Sequence, residues 1–385
     1  MPSHTGAIVI GLMSGTSLDG VDAVALEIDP NESGSFALPR QVLGNHSVAL
    51  PAALKTSLSQ LCTPLPAAHS TDIDLIERLG DARRDLTDLY AAAVAGLPTA
   101  ISSRAVAIGA HGQTIRHRPE RSFSLQIIDG ARLAESSQLP VVTDFRAADI
   151  AAGGQGAPLA PVFHQAMLSA HPQWRAVLNL GGIANVTVLS EDGHRIEAGF
   201  DTGPANRLMD EWCRIHTGHD FDAEGQWATS GQVNHELLNL FLAHDFFARP
   251  APKSTGREEF SMAWINEVIT RLRPRNQDLA PADVQASLLE LTAQSVARAL
   301  APYKLQGLLV CGGGAANTAL MNRLRVVCGT NCISTDAIGI NPQQVEGAAF
   351  AWLAWHHVSR RAVNPGSGAA GARVAGALYP STVGP

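Results

Sequence analysis

The chain has 385 residues, 45% of them apolar, and a formal net charge of −7. That length supplies two ordinary domains with full cores, the negative balance argues against a nucleic-acid-binding surface, and no apolar run is long enough to span a bilayer. Five cysteines without a CxxC pair suit a reducing compartment, and the N-terminus has no basic flank or apolar h-region, so a cytoplasmic protein is expected.

The apolar run 7–13 predicts a buried strand. It breaks into Ser14-Gly15-Thr16-Ser17-Leu18-Asp19-Gly20, and a second strand is predicted over 21–28. Gly15 and Gly20 let a backbone come close to a ligand. Thr16, Ser17 and the amides of the turn, through Leu18 to Val21, supply donors for phosphate oxygens, while Asp19 and Asp22 supply carboxylates for a hydrated Mg²⁺ or a hydroxyl. The turn lacks the lysine of a Walker loop and the following helix of a dinucleotide fold. It reads as a strand-turn-strand grip on phosphate or as an ordinary hairpin with a polar turn.

An irregular region is expected to about residue 66, with a turn at 31–35. Helical spacing follows over 71–96 through Ile73, Ile76, Leu79, Leu86, Leu89 and Ala92. A buried strand at 105–110 ends in His111-Gly112-Gln113-Thr114-Ile115-Arg116-His117. Further strands are predicted at 124–128 and 140–143, a helix at 131–137, and then Asp144-Phe145-Arg146. The Gly-rich segment 151–158 is read as a domain boundary, dividing the chain into 1–150 and 151–385.

The second half repeats the opening theme. A strand at 175–180, a tight turn from Gly181-Gly182 to Asn185 and a strand at 186–189 predict an internal duplication, with two phosphate grips facing across a cleft. The run 308–311 leads into Gly312-Gly313-Gly314 and a helix through Leu320 and Leu324. Bare amides and a helix N-terminus at the carboxyl edge of a sheet would suit a nucleotide. An amphipathic helix is predicted over 282–300, and the last twenty residues read as a loosely held tail.

Asp201, in Gly199-Phe200-Asp201-Thr202-Gly203-Pro204, is the strongest candidate for a reacting group. An apolar approach delivers it to a Gly/Pro turn before a helix at about Asn206, where a carboxylate can take a proton from water or a hydroxyl; the alternative is a helix cap. Asp144, Arg146 and Asp149 form a second constellation, in which Arg146 clamps a substrate carboxylate or makes a structural ion pair. Glu346 opens a helix and either grips a substrate hydroxyl or favours the helix N-terminus. His111 reads as a neutral histidine bonded to its turn, with Arg116 facing the same cleft. No HExxH occurs among the histidines, so a zinc hydrolase is disfavoured. The loop 252–258 reads as solvated, though long enough to reach a substrate.

Met13-Ser14-Gly15-Thr16-Ser17-Leu18-Asp19-Gly20-Val21-Asp22 closely resembles the opening of anhydro-N-acetylmuramic acid kinases. So do Gly112 to His117, Asp144-Phe145-Arg146, Ala152 to Pro158, Asn179-Leu180-Gly181-Gly182, Gly199 to Pro204 and Cys311-Gly312-Gly313-Gly314, in order from Gly11 to about Trp355. The resemblance implies the α/β two-domain fold of the sugar kinase and actin superfamily, with an internally duplicated core and an interdomain ATP cleft. It also implies opening of the 1,6-anhydro ring of 1,6-anhydro-N-acetylmuramic acid by water while ATP phosphorylates O6, a step of peptidoglycan recycling. In the matching positions Asp201 would activate water, Gly15 to Asp22 would hold ATP phosphates with Mg²⁺ nearby, and Gly312 to Gly314 would lie under the nucleotide. Asp144, Arg146 and Glu346 would contact the sugar, and a homodimer is implied. Ala205 departs from the glycine commoner in that turn. A kinase acting on another amino sugar and an actin-like or chaperone-like ATPase are the alternatives.

Overall fold

The computed structural model describes residues 6–15, 18–30, 37–62, 74–169, 171, 173–256, 259–272, 279–364 and 371–381. Thr16, Ser17, the expected turn at 31–35, Arg257 and Glu258 lie outside the described residues.

The strands in chain order are β1 (Ala7–Met13), β2 (Gly20–Ile28), β3 (Pro39–Ala49), β4 (Ala105–Ala110), β5 (Gln113–Arg118), β6 (Phe123–Ile127), β7 (Val141–Thr143), β8 (Ala176–Leu180), β9 (Ile183–Leu189), β10 (Ile196–Pro204), β11 (Gly307–Cys311), β12 (Asn331–Ser334) and β13 (Ala377–Tyr379). One sheet has the order β13-β7-β4-β1-β2-β3, another the order β10-β9-β8-β11-β12, and β5 and β6 form a separate hairpin. In the first sheet β1 is antiparallel to β2, β2 to β3, and β4 is parallel to both β1 and β7. The second sheet repeats this pattern: β8 antiparallel to β9, β9 to β10, and β11 parallel to both β8 and β12. The same order and the same directions twice establish the internal duplication, and with it the two-domain fold of sugar kinases and actin.

The chain divides into Met1–Ala170 with Gln344–Pro385, and His171–Gln343. The boundary expected after residue 150 therefore lies at residue 170, and the first unit also reclaims the end of the chain. Two helices cause this. Helix Ala160–Ser169 buries Val162, Phe163, Ala166, Met167 and Leu168, and Phe163 packs edge-on against Trp352. Helix Val345–Val358 lies directly on β1, so close that a side chain at Gly11 would collide with the Gly347 carbonyl. The Gly-rich segment 151–158 is thus a loop within the first unit.

Each unit has its own core. Ile8, Ile10, Leu12, Leu86, Tyr90 and Leu133 belong to the first, and Leu178, Val186, Phe241, Leu288, Val310 and Leu324 to the second. The predicted helix at 71–96 spans Leu75–Ala95, with Asp74 capping it by accepting from the amides of Ile76 and Glu77. Three expectations are corrected. The region before residue 66 is not irregular but holds β3 and helix Ala52–Cys62. The C-terminal segment supplies β13, which pairs antiparallel with β7. Helix Thr318–Cys328 starts only after a 3-10 turn, Gly313–Ala316, with Asn317 as its cap, so the glycines do not form that helix's first turn.

Candidate active site

In the second unit Asp201 lies within β10 rather than in the turn expected for it, paired with Asn185 of β9. The register slips between Asp201 and Gly203, so Thr202 is an extra, buried residue whose hydroxyl donates to the Ala184 carbonyl. Such a bulge re-aims the neighbouring side chain. Asp201 is not a helix cap: helix Asn206–Thr217 has Ala205 at its N-cap, with no capping side chain. Ala205 has φ −130°, so the position does not call for the positive φ that favours glycine.

The loop after Pro252, read from sequence as solvated, instead holds Asp201 on both sides. The Asp201 amide donates to the Lys253 carbonyl at 2.9 Å, and the Thr255 amide donates to Asp201 Oδ2 at 2.9 Å. Burial raises the carboxyl to about 6, against the lowering effect of the Thr255 amide. Asp201 is therefore a carboxylate that can both take and release a proton near neutral pH.

Beside β10 the glycine turns converge. The amides of Ala205 and Asn206 donate to the carbonyls of Gly182 and Gly181, each at 3.1 Å, and Asn206 Nδ2 donates to the Leu180 carbonyl at 2.9 Å. A Cβ at Gly314 would come within 2.6 Å of Asn206 Oδ1. Gly312 has φ +81° and abuts Asn179 and Leu180, so internal packing requires glycine there. Gly181, Gly182 and Gly313 differ: none has positive φ, and a Cβ would meet nothing nearer than 3.4 Å. No contact among the described residues accounts for glycine at those three positions, which is what close approach by a ligand would explain.

In the first unit β1 and β2 make the predicted hairpin. Ser14 is buried and its hydroxyl donates to Gln113 Oε1 at 2.8 Å, which ties the turn to β5. Leu18 has φ +58°, and its amide donates to the Gly15 carbonyl. A side chain at Gly20 would strike the Val48 carbonyl. Val21 is fully buried. Asp19 pairs with Lys55 at 3.1 Å, and Asp22 accepts from the Ser47 hydroxyl. Among the described residues no cluster of three or more His, Cys, Asp or Glu could hold a metal ion by itself.

His111, at the end of β4, is buried, with Nδ1 2.7 Å from the Gly112 carbonyl. Its Nε2 accepts from Arg146 Nε at 3.1 Å and lies 2.9 Å from Nη2. Burial and then Arg146 push the imidazole far below its ordinary range, so it is the neutral histidine expected. Arg146 also donates from Nη1 to the Gly156 carbonyl at 2.8 Å. Burial lowers the guanidinium to about 10, opposed by Glu346 and Asp149. Asp149 in turn accepts from the Gly156 amide at 2.7 Å, fastening the Gly-rich loop.

The structure thus brings His111, Arg146 and Glu346 together, with Glu346 in the first turn of helix Val345–Val358. Asp144, one residue past β7 at φ +56°, instead lines an open cavity of about 540 Å³ with Gln126, Thr143 and Tyr379; burial raises its carboxyl. Arg116 turns back to the carbonyls of Leu61 and Ile115 and does not join His111. No helix among the described residues is long and apolar enough to cross a membrane.

The sequence model of the family described as "Anhydro-N-acetylmuramic acid kinase" matches residues 7–381. Among curated proteins, the anhydro-N-acetylmuramic acid kinase of Bordetella avium is 47% identical over 384 residues, covering 99% of this chain and 98% of that one. The protein of the same name from Pseudomonas paraeruginosa is 46% identical over 381 residues, covering 97% and 98%. That from Xanthomonas campestris is 44% identical over 389 residues, covering 99% of each. The chain belongs to the anhydro-N-acetylmuramic acid kinase family.

Proposed function

We propose that the protein is an ATP-dependent kinase that opens the 1,6-anhydro ring of 1,6-anhydro-N-acetylmuramic acid with water and phosphorylates O6. The product is N-acetylmuramic acid 6-phosphate, formed in the cytoplasm during peptidoglycan recycling. Family membership supports the substrate and disfavours an ATPase that works on a protein partner.

Asp201 carries the reading. Its Oδ2 accepts from the Thr255 amide, while Oδ1 accepts no hydrogen bond from the described residues. Oδ1 would take a proton from water as the water oxygen bonds to C1. The C1–O6 bond breaks, its electron pair goes to O6, O6 attacks the γ-phosphorus, and ADP leaves. A carboxyl raised to about 6 is ionised at pH 7 yet basic enough to share the proton in the transition state.

Gly181, Gly182 and Gly313 leave room for phosphate or nucleotide to meet bare backbone, and Gly312 and Gly314 hold that turn in place. The hairpin from Gly15 to Asp22 would hold ATP phosphates as well. With Asp19 and Asp22 as the carboxylates at hand, the residues fit a Mg²⁺ bound mainly through ATP oxygens and water. When bound, that ion would neutralise charge on the β- and γ-phosphates.

On the sugar side, three of the five N–H groups of Arg146 are engaged by His111 and Gly156. The other two would form a fork for the lactyl carboxylate. Glu346 would accept from a hydroxyl or the acetamido N–H, and Asp144 would add a further contact. The test is a coupled assay with the anhydro sugar, ATP and Mg²⁺ in ¹⁸O-labelled water, on wild type and Asp201→Asn. A 6-phosphate labelled at C1 from the wild type and none from the variant is expected. An unlabelled product, or an active variant, would sink the assignment.

A further inference from the structure

Asp201 is held by a chain of groups that runs away from the reacting carboxylate. Thr255 donates its amide to Asp201 Oδ2 at 2.9 Å and its hydroxyl to Glu259 Oε2 at 2.7 Å. Arg249 Nη2 donates to Glu259 Oε1 at 2.6 Å. Glu259 is 19% exposed in its side chain, Arg249 48%. The inner end of the chain is thus sheltered and the outer end wet.

A second anchor holds the same loop. Lys253 Nζ donates to the Phe246 carbonyl at 3.0 Å and sits 4.5 Å from the centre of the Phe246 ring. Phe246 in turn packs face to edge against Phe247 and Phe260. The Lys253 ammonium is therefore occupied in fixing the loop, while its carbonyl accepts the Asp201 amide. Backbone groups alone hydrogen-bond Asp201 among the described residues, so its aim depends on whatever fixes residues 253–255. Glu259 grips the end of that stretch through the Thr255 hydroxyl.

We infer that Glu259 is a positioning residue for Asp201: through the Thr255 hydroxyl it fixes the Thr255 amide on Oδ2 and leaves Oδ1 as the oxygen that takes the proton. Arg249 orients Glu259 from outside. The inference rests on the proposed role of Asp201 as base. A carboxylate free to rotate about its Cβ–Cγ bond would aim a lone pair at the reacting water for only part of the time.

The test uses the full-length enzyme with ATP, Mg²⁺ and 1,6-anhydro-N-acetylmuramic acid. Glu259→Ala and Thr255→Val, which lacks only the hydroxyl, are expected to lower kcat about ten-fold with both KM values within about two-fold. Both should also move the acid limb of the kcat profile upward, because the amide that favours ionised Asp201 is loosened. Glu259→Gln still accepts from the Thr255 hydroxyl and Thr255→Ser still donates, so each should recover most of the loss. If Glu259→Ala does not fold, Thr255→Val and Thr255→Ser carry the comparison. Wild-type kcat in Thr255→Val would overturn the inference. So would a raised KM with unchanged kcat, which would make the loop a ligand strap, or a low kcat with an unmoved acid limb and no rescue. Asp201→Asn separates the two claims. If it is inactive while Thr255→Val is normal, positioning alone fails; if it is active, the base assignment fails and the inference with it.

Discussion

The two sheets share one strand order but present different chemistry beyond their strands. After its inner parallel strands the first sheet presents side chains, His111 beyond β4 and Arg146 beyond β7, joined by Glu346 from helix Val345–Val358. At the place equivalent to His111 the second sheet presents backbone, Gly312 to Gly314 beyond β11; Gly181 and Gly182, between β8 and β9, stand where the first sheet has its β1–β2 turn, and Asp201 lies on β10. Side chains recognise by charge and shape, whereas bare amides recognise an anion of almost any shape. On the proposed reading the side chains of the first unit select the sugar, the second unit's glycine turns grip phosphate together with the β1–β2 hairpin, and Asp201 performs the proton transfer. Substitutions should then fail in different ways in the two units.

The largest effect belongs to Asp201. Asp201→Asn should reduce kcat about 10³-fold, in the range of a lost general base, with KM values little changed. In the wild type kcat should fall tenfold per pH unit below about 6, where burial has placed the Asp201 carboxyl. Stability should move the other way. The folded carboxyl titrates near 6 and the unfolded one near 3.9, so the folded state binds the proton more tightly. Stability therefore falls as pH rises through that window and stays lower above it. Asparagine has no proton to lose, so Asp201→Asn should raise the unfolding free energy at pH 7.5 by about 1 kcal/mol, after allowance for solvent screening. Equal or lower stability in urea unfolding would show that the site is not strained by its buried charge.

Next in size is Arg146. Arg146→Ala should cost about 10 to 100-fold in kcat/KM for the anhydro sugar, the worth of a charge-assisted pair. KM for ATP should stay put, and steady-state kinetics with each substrate varied would show it. Arg146→Lys should recover little, because an ammonium cannot engage His111, the Gly156 carbonyl and a carboxylate together. A rise in the ATP KM instead would erase the division of labour between the units.

The sequence made much of this legible, and what it hid has physical causes. Buried strands such as β1 and β8 are short apolar runs bounded by turns, and both were expected within a residue of their observed limits. Strand β3 was not, because it is an edge strand with exposed and half-buried residues along most of its length. The return of helix Val345–Val358 to β1 depends on two glycines, Gly11 and Gly347, far apart in the chain, and no local pattern announces such a contact. Asp201 was legible as a residue but not as a strand position, since Thr202-Gly203-Pro204 reads as a turn and only pairing with β9 shows a bulge. The Thr255 to Glu259 connection was hidden because charge and polarity in a loop default to solvation. Its function lies in backbone amides, which carry no sequence signature.

The smallest predicted effects test the backbone half of the comparison. Gly312→Ala should destabilise the protein by about 1–3 kcal/mol, because alanine must take a φ of +81° against Asn179 and Leu180. Its loss of activity would then follow unfolding, and a thermal shift should accompany it. Gly181→Ala has no such conflict, since a Cβ there would meet only the Ile183 carbonyl at 3.5 Å. Its melting temperature should stay within about 1 °C of wild type, because a half-buried site with room for the added methyl contributes little. If a phosphate meets that amide, the added methyl should nonetheless raise KM for ATP about three- to ten-fold and leave the sugar KM unchanged. A variant indistinguishable from wild type in both measurements would remove Gly181 from the nucleotide site. Gly181 would then have neither a packing reason nor a ligand reason, and the second unit's grip would rest on Gly182 and on Gly312 to Gly314.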